Sequence, residues 1–265
     1  MAFAVACFFV LLAAGTVAAF WMRPLWMPEL LSVHGAAIDE QLLRTLAIAG
    51  AGFFLTHAAL GFCVWRFRRR HVGAEASAWS ASATLEWTWT LTIAAIFLTL
   101  GVQGNRIWSD HFNAPAPADA VVVEVTGQQF AWNIRYPGPD RKFGRARPEL
   151  IDDSVGNHWG VDETDPDGRD DVTAQNILAI PAGRPVKIVL RSRDVLHSFF
   201  VPPLRVKQDA VPGMSIAIHF TATRAGEFEI ACAELCGMQH YKMRARLLVL
   251  TDAAFDAWLK SRAEQ

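Results

Sequence analysis

The sequence predicts a membrane-anchored all-β protein, in which two or three N-terminal transmembrane helices precede a β-sandwich. Three observations carry that expectation. Residues 1–104 contain three long apolar stretches with few or no charges. From Ala120 onward the apolar residues come in short alternating runs, the period-two pattern of half-buried strands. The 265 residues are 52 % apolar and only 19 % charged, with a mean hydropathy of +0.20, against about 25 % charge in ordinary soluble domains, so part of the chain faces lipid.

Met1–Met22 carries no charged side chain and has the length, about 20 residues, that a helix needs to cross the apolar core of a bilayer. It lacks the basic opening of a secretory signal, although Ala13, Ala14, Ala18 and Ala19 suit a peptidase, so residues 1–22 are read as an anchor or an uncleaved signal. Residues 23–44, with Arg23 and Arg44 as the only cations, form an external loop. Residues 45–65 are the second span. They end in Arg66, Arg68, Arg69 and Arg70, and short arginine-rich loops stay inside, which makes 66–86 cytoplasmic. Residues 87–104 are the third span. The protein is thus expected to be multi-pass in the plasma (inner) membrane, with everything after about Asn105 on the outer, periplasmic face. Asn113–Ala118, alternating Ala and Pro, is an extended linker.

The strands of a domain over 120–250 are expected at 121–126, 129–136, 176–180, 186–191, 216–220, 227–231 and 245–250, enough for a sandwich. An insertion over 137–173 interrupts them. Between Asp140 and Asp171 it holds ten acidic and five basic residues and is read as exposed. The tail, 251–265, contains a short helix over 252–260 with Phe255, Trp258 and Leu259 on one face. A formal net charge of −1, from 25 Lys and Arg against 26 Asp and Glu, gives no field for a polyanion and excludes nucleic acid as a partner.

Four cysteines are too few for a disulfide scaffold, so each is judged by its neighbours. Cys7 and Cys63 lie in apolar spans and are packing residues. His57, also within a span, is expected to hydrogen-bond between helices. Cys232-Ala-Glu-Leu-Cys236-Gly-Met-Gln-His240-Tyr-Lys-Met243 is different: its C-x3-C-x3-H-x2-M spacing brings four side chains around one point, and His197 of Asp194-Val-Leu-His-Ser can join them. Thiolate, thioether and imidazole together favour copper. A blue-copper centre needs one cysteine, whereas two thiolates can bridge two copper ions. Zinc, with two Cys and two His, is the competing reading, but it has little use for Met243, the C-x3-C spacing is not that of a zinc knuckle, and a zinc site needs no membrane tether. A disulfide would leave both histidines unexplained. His34, His71, His111, His158 and His219 belong to no visible constellation.

Four segments resemble subunit II of the haem-copper cytochrome c oxidases: Ser192-Arg-Asp-Val-Leu-His-Ser-Phe, Val201-Pro-Pro-Leu, Lys207-Gln-Asp-Ala-Val-Pro-Gly and the Cys232–Met243 stretch. The resemblance runs from about Pro24 to the end. It implies a cupredoxin-like Greek-key sandwich whose dinuclear, mixed-valence copper centre uses His197, Cys232, Cys236, His240, Met243 and the backbone carbonyl of Glu234. It also implies that the Glu234 carboxylate helps to bind magnesium at the interface with subunit I. Gly127-Gln-Gln-Phe-Ala-Trp-Asn-Ile-Arg-Tyr matches the stretch where the family takes up its electron, with Phe130 at the usual tryptophan position and Trp132 at the second; both also suit a strand core. Glu86, in Glu-Trp-Thr-Trp-Thr, matches the glutamate at the family's proton-channel mouth, although the helix dipole favours an acid there in any case.

The implied function is electron acceptance from cytochrome c at the copper pair and relay to the haem of subunit I, where oxygen is reduced to water. Subunits I and III and membrane lipid are the expected surroundings. No C-x-x-C-H motif is present, so the donor is a separate haem protein, and the acidic insertion could steer a basic one. A quinol oxidase subunit would have lost the copper ligands. A membrane-tethered copper carrier or sensor, without oxidase activity, is the alternative from another class, and a zinc-stabilised scaffold is a weaker one.

Overall fold

A computed structural model describes residues 1–68 and 82–264. The expected cytoplasmic loop, with Arg69, Arg70 and His71, therefore lies largely outside the described residues. The chain divides into two units, each considered by itself: residues 1–28 with 37–108, and residues 29–36 with 109–265.

The first unit is helical. Helices α1 (Ala2–Trp21), α2 (Gly35–Arg66) and α3 (Ala83–Phe112) are all long and apolar enough to cross a membrane. Two of them outrun their apolar stretches. α2 starts well before residue 45 and α3 continues past 104, because residues such as Gln41 and Arg106 keep helical backbone beyond the apolar segment. Gln41 Nε2 donates to the Leu100 carbonyl at 3.1 Å, joining α2 to α3. His57 Nδ1 lies 2.8 Å from the Phe53 carbonyl of its own helix, so the expected bond between helices is not what it makes. Its ring instead meets Phe9 of α1 with centroids 6.2 Å apart.

The second unit is a sandwich of two five-stranded sheets. The first runs in the order β3 (Val172–Gln175), β2 (Ala131–Tyr136), β1 (Val121–Gln128), β5 (Pro185–Ser192), β8 (Ile216–Thr221). The second runs β4 (Ile177–Pro181), β10 (Arg244–Leu250), β9 (Gly226–Cys232), β6 (His197–Val201), β7 (Val206–Ala210). Helix α4 (Asp252–Ala263), capped by the Thr251 hydroxyl, lays Phe255 on the sandwich. Strands β3, β6 and β7 are absent from the sequence expectation. β3 and β7 are short sheet edges with polar residues, and β6 lacks alternation because four of its five residues are buried.

Val123 and Val125 of β1, Trp132, Ile134 and Tyr136 of β2, and Ile188 and Leu190 of β5 face Leu178, Ile180, Phe199, Ile230 and Leu247 of the other sheet. Each such burial contributes about 1.5–3 kcal/mol. Tyr136 also stitches the sheets together: its hydroxyl donates to the Ala179 carbonyl at 2.9 Å and accepts from the Ala179 amide at 2.8 Å.

Residues 29–36, expected in an external loop, are strapped into the sandwich. Leu31 is fully buried, Thr223 donates its amide to the Leu31 carbonyl at 2.7 Å, and Ser32 Oγ donates to the Leu204 carbonyl at 2.6 Å. The acidic insertion is likewise not a free loop. It folds over the outer face of β2, whose Arg135 is buried and donates to Glu124 (2.7 Å), Asp171 (3.2 Å) and the Gly144 carbonyl (3.0 Å). Removing that cation leaves two buried carboxylates facing each other. Arg135→Met is expected to cost about 3–5 kcal/mol, and Glu124→Gln less, in denaturant unfolding of the full chain followed by tryptophan fluorescence.

Candidate metal centre

The centre forms at one end of the sandwich, where the start of β6 meets the loop from β9 to β10. Phe199 pairs with Cys232 across β6 and β9, which sets His197 beside the loop. Cys232 N donates to the Met243 carbonyl at 3.1 Å and closes the loop at its base; Ala233 N donates to the Ser198 carbonyl at 3.0 Å. A single 3-10 turn, His240–Lys242, then aims His240 inward.

The two sulfurs lie 4.0 Å apart, twice the length of a disulfide bond, and both cysteines are free and buried. His197 Nδ1 is 3.9 Å from Cys232 Sγ, and His240 Nδ1 is 3.6 Å from Cys236 Sγ. The Met243 thioether is 3.7 Å from Cys236 Sγ, and the Glu234 carbonyl 3.2 Å from Cys232 Sγ. A sulfur pair therefore occupies the middle, with an imidazole at each sulfur and a weak donor on each flank. Among the described residues, His197, Cys232 and Cys236 are the group of metal-binding side chains whose donor atoms all lie within 4.8 Å of one another. The set of two thiols, two imidazoles, a thioether and a carbonyl suits copper by softness.

Residues that lie in the sequence motifs without an assigned role hold this arrangement. Asp194 Oδ1 accepts from His197 Nε2 at 2.8 Å, which leaves Nδ1 free to face the sulfurs. Asp194 Oδ2 accepts from the Gln129 amide at 2.7 Å, and Gln129 Nε2 donates to the Cys236 carbonyl at 2.5 Å. The β1–β2 turn of one sheet thus grips both ligand-bearing segments of the other. A Cβ on Gly127 would stand 2.8 Å from the His197 ring, and one on Gly237, at φ +135°, 2.8 Å from Gln129 Nε2. The only sequence signal for Asp194 was its place three residues before His197.

Trp132 is fully buried and meets the His197 ring edge-on, with centroids 6.1 Å apart. Phe130 is partly buried against Gly237. The Glu234 side chain is partly exposed, and Glu86 stands exposed in the first turn of α3, in the helical unit. The insertion reaches the rim of the site: Asp153 accepts from Arg193 and from His158 Nδ1, both at 2.7 Å. These two bonds hold the Asp153 carboxyl well below the usual range.

Burial raises both thiols, but Cys232 is drawn down to about 6 by hydrogen bonds from His197, the Ser198 and Glu234 backbone, and His240. Cys236 is pushed up to about 11 by burial and then by the charge of Cys232. Burial opposes the protonated form of His197, yet the contacts with Cys232 and Asp194 raise it above its ordinary value.

Residues 121–249 match the model of the family described as cytochrome c oxidase subunit II, periplasmic domain. The chain is 36 % identical over 260 residues to the alternative cytochrome c oxidase subunit 2 of Bradyrhizobium diazoefficiens, covering 98 % of this chain and 92 % of the relative. It is 30 % identical to cytochrome c oxidase subunit 2 of Cereibacter sphaeroides, covering 80 % and 71 % respectively. Among solved structures, the periplasmic domain of cytochrome oxidase subunit II of Bradyrhizobium japonicum is 26 % identical, with a TM-score of 0.42 over 57 % of this chain and 98 % of that one.

The thiol pair sets a pH dependence for metal loading. Between about pH 6 and 11 it carries one proton, on Cys236, so metal binding there releases that proton and strengthens as pH rises. With Cys7 and Cys63 replaced by alanine, ultraviolet thiolate absorption of the metal-free chain is expected to rise in two separate steps, the first near pH 6. Cys232→Ser should remove that first step, and a single merged step near the ordinary thiol value would contradict the arrangement.

Proposed function

Because the chain belongs to the cytochrome c oxidase subunit II family, we propose that it is the electron-entry subunit of its oxidase, holding a dinuclear copper centre on His197, Cys232, Cys236, His240, Met243 and the Glu234 carbonyl. The observation that carries this reading is the buried pair of sulfurs 4.0 Å apart with a separate imidazole at each. One tetrahedral metal on the two thiols and two imidazoles would leave the Met243 thioether and the Glu234 carbonyl without a role, whereas two metals sharing both thiolates would use every group present. Bound there, a copper pair supplies a one-electron store whose odd electron is spread over both ions, so that little moves when it arrives or leaves.

The chain's own residues do the rest. Asp194 fixes the His197 ring and its proton, and burial of Cys236 and Met243 keeps water from the sulfurs. Trp132 has no exposed surface, so it does not touch a donor. It serves as an aromatic step beside His197, with Phe130 nearer the surface. Cytochrome c is the donor, the haem of subunit I the acceptor, and oxygen is reduced there and not in this chain. Subunit III completes the assembly.

The three apolar helices support a membrane anchor, and the sandwich, matched to a periplasmic family model, sits on the outer face. On this reading Glu234 adds its carboxylate to a magnesium site at subunit I, and Glu86 stands at the mouth of a proton path. The acidic insertion is a brace more than a docking arm, since Asp153, Asp162, Asp165 and Asp171 are engaged within the domain.

The test is metal content and spin resonance of the full chain in detergent after copper loading. Two coppers per chain with one delocalised spin are expected. Cys232→Ser and Cys236→Ser should each abolish the delocalised signal, because a hydroxyl does not bridge as a thiolate does. Met243→Leu should keep the signal and shift it, an axial thioether acting mainly on potential. One copper per chain, or equal damage from all three substitutions, would overturn the dinuclear reading.

A further inference from the structure

Three histidines that no motif connects come together elsewhere in the second unit, beside the strap formed by residues 29–36. His34 precedes α2, His111 lies in the last turn of α3, and His219 is on β8. The His34 and His111 rings are stacked, with centroids 4.1 Å apart and planes at 13°; the His219 ring lies 5.9 Å from that of His111. His219 Nε2 is 3.0 Å from the Ala114 carbonyl, so it carries the proton and Nδ1 keeps its lone pair. Both nitrogens of His34 are shut away from solvent without a hydrogen-bond partner.

Burying two such nitrogens unsatisfied costs on the order of 1–3 kcal/mol each, and ring stacking does not return it. The charges that act on His34 are those of the other two imidazoles, which together with its burial, the largest effect, hold it down to about 4. At neutral pH it is therefore the neutral, lone-pair form, the one that ligates metals.

We infer that His34, His111 and His219 form a second metal site, separate from the sulfur centre, that takes a divalent cation of the zinc class. The donor set selects the ion. No thiolate is present to prefer copper pairs, and hard cations such as magnesium or calcium require oxygen ligands. Three imidazoles with a fourth position open match tetrahedral zinc. The rings are stacked and not fanned about a point, so loading turns His34 or His111 about its side-chain bonds. The ion ties the strap and the end of α3 to β8.

The experiment is calorimetric titration of Zn2+ into the full chain in detergent, already loaded with copper, with metal analysis after dialysis. One zinc per chain is expected. His219→Gln, which keeps a donor for the Ala114 carbonyl but loses the Nδ1 lone pair, should weaken binding by at least about 10–100-fold. His34→Gln should do the same, and the copper spectrum should be unchanged in both. No zinc uptake, or uptake that neither substitution alters, as zinc on the thiols would give, overturns the inference. Because the copper spectrum is read separately, failure here leaves the copper reading intact, and the reverse holds.

Discussion

Two thiols 4.0 Å apart are not both thiolates at neutral pH without a cation between them. At an effective dielectric near 20, two unit charges at that distance repel by about 4 kcal/mol. The domain stabilises one negative charge, on Cys232, through imidazole and backbone hydrogen bonds, and leaves the second proton in place on Cys236. Releasing that second proton would take a metal cation, and the donors around the pair are those that favour a soft one.

That constraint explains why donors carried by one sheet are gripped from the other. A loop alone would let the sulfurs drift apart or oxidise together. Here the loop is closed at its base by the Cys232 to Met243 backbone bond and held from the opposite sheet by Gln129 and, through Asp194, by His197. Gly127 lets the His197 ring sit against the β1 backbone, where any side chain would displace it. The same end of the sandwich is braced from outside, since Asp153 of the insertion clamps Arg193, next to Asp194. Geometry of the donor set is thus a property of the whole sandwich end and not of the Cys–His–Met motif.

Much of this was legible in the sequence, and for physical reasons. Long uncharged runs favour long apolar helices, and regular alternation marks strands buried on one face, so α1 to α3 and seven of the ten strands among the described residues were visible. The ligand loop was visible because its donors are close in sequence. What escaped depends on partners far along the chain. β3 and β7 are edges with weak patterns, and Asn133 and Arg135 of β2 look like solvent-facing residues until the insertion covers them. Gln129 and Asp194 are 65 residues apart, and nothing local marks either as a support for a metal ligand. The insertion's acidity suggested a surface for a partner, yet many of those carboxylates bind amides and arginines of their own domain.

The histidine cluster escaped for the same reason in its most extreme form, since its members come from residues 34, 111 and 219. They meet because the chain joins the sandwich twice, once through the strap ahead of α2 and again at the end of α3, and β8 runs beside both junctions: Ser32 bridges to Ala222 just past it, and Ala114 receives the His219 bond. The two donor sets also divide by chemistry. The thiolates outcompete imidazole for copper, so copper settles on the sulfur pair first. An all-imidazole site, short of sulfur and of carboxylates, is left to a borderline ion with no redox role.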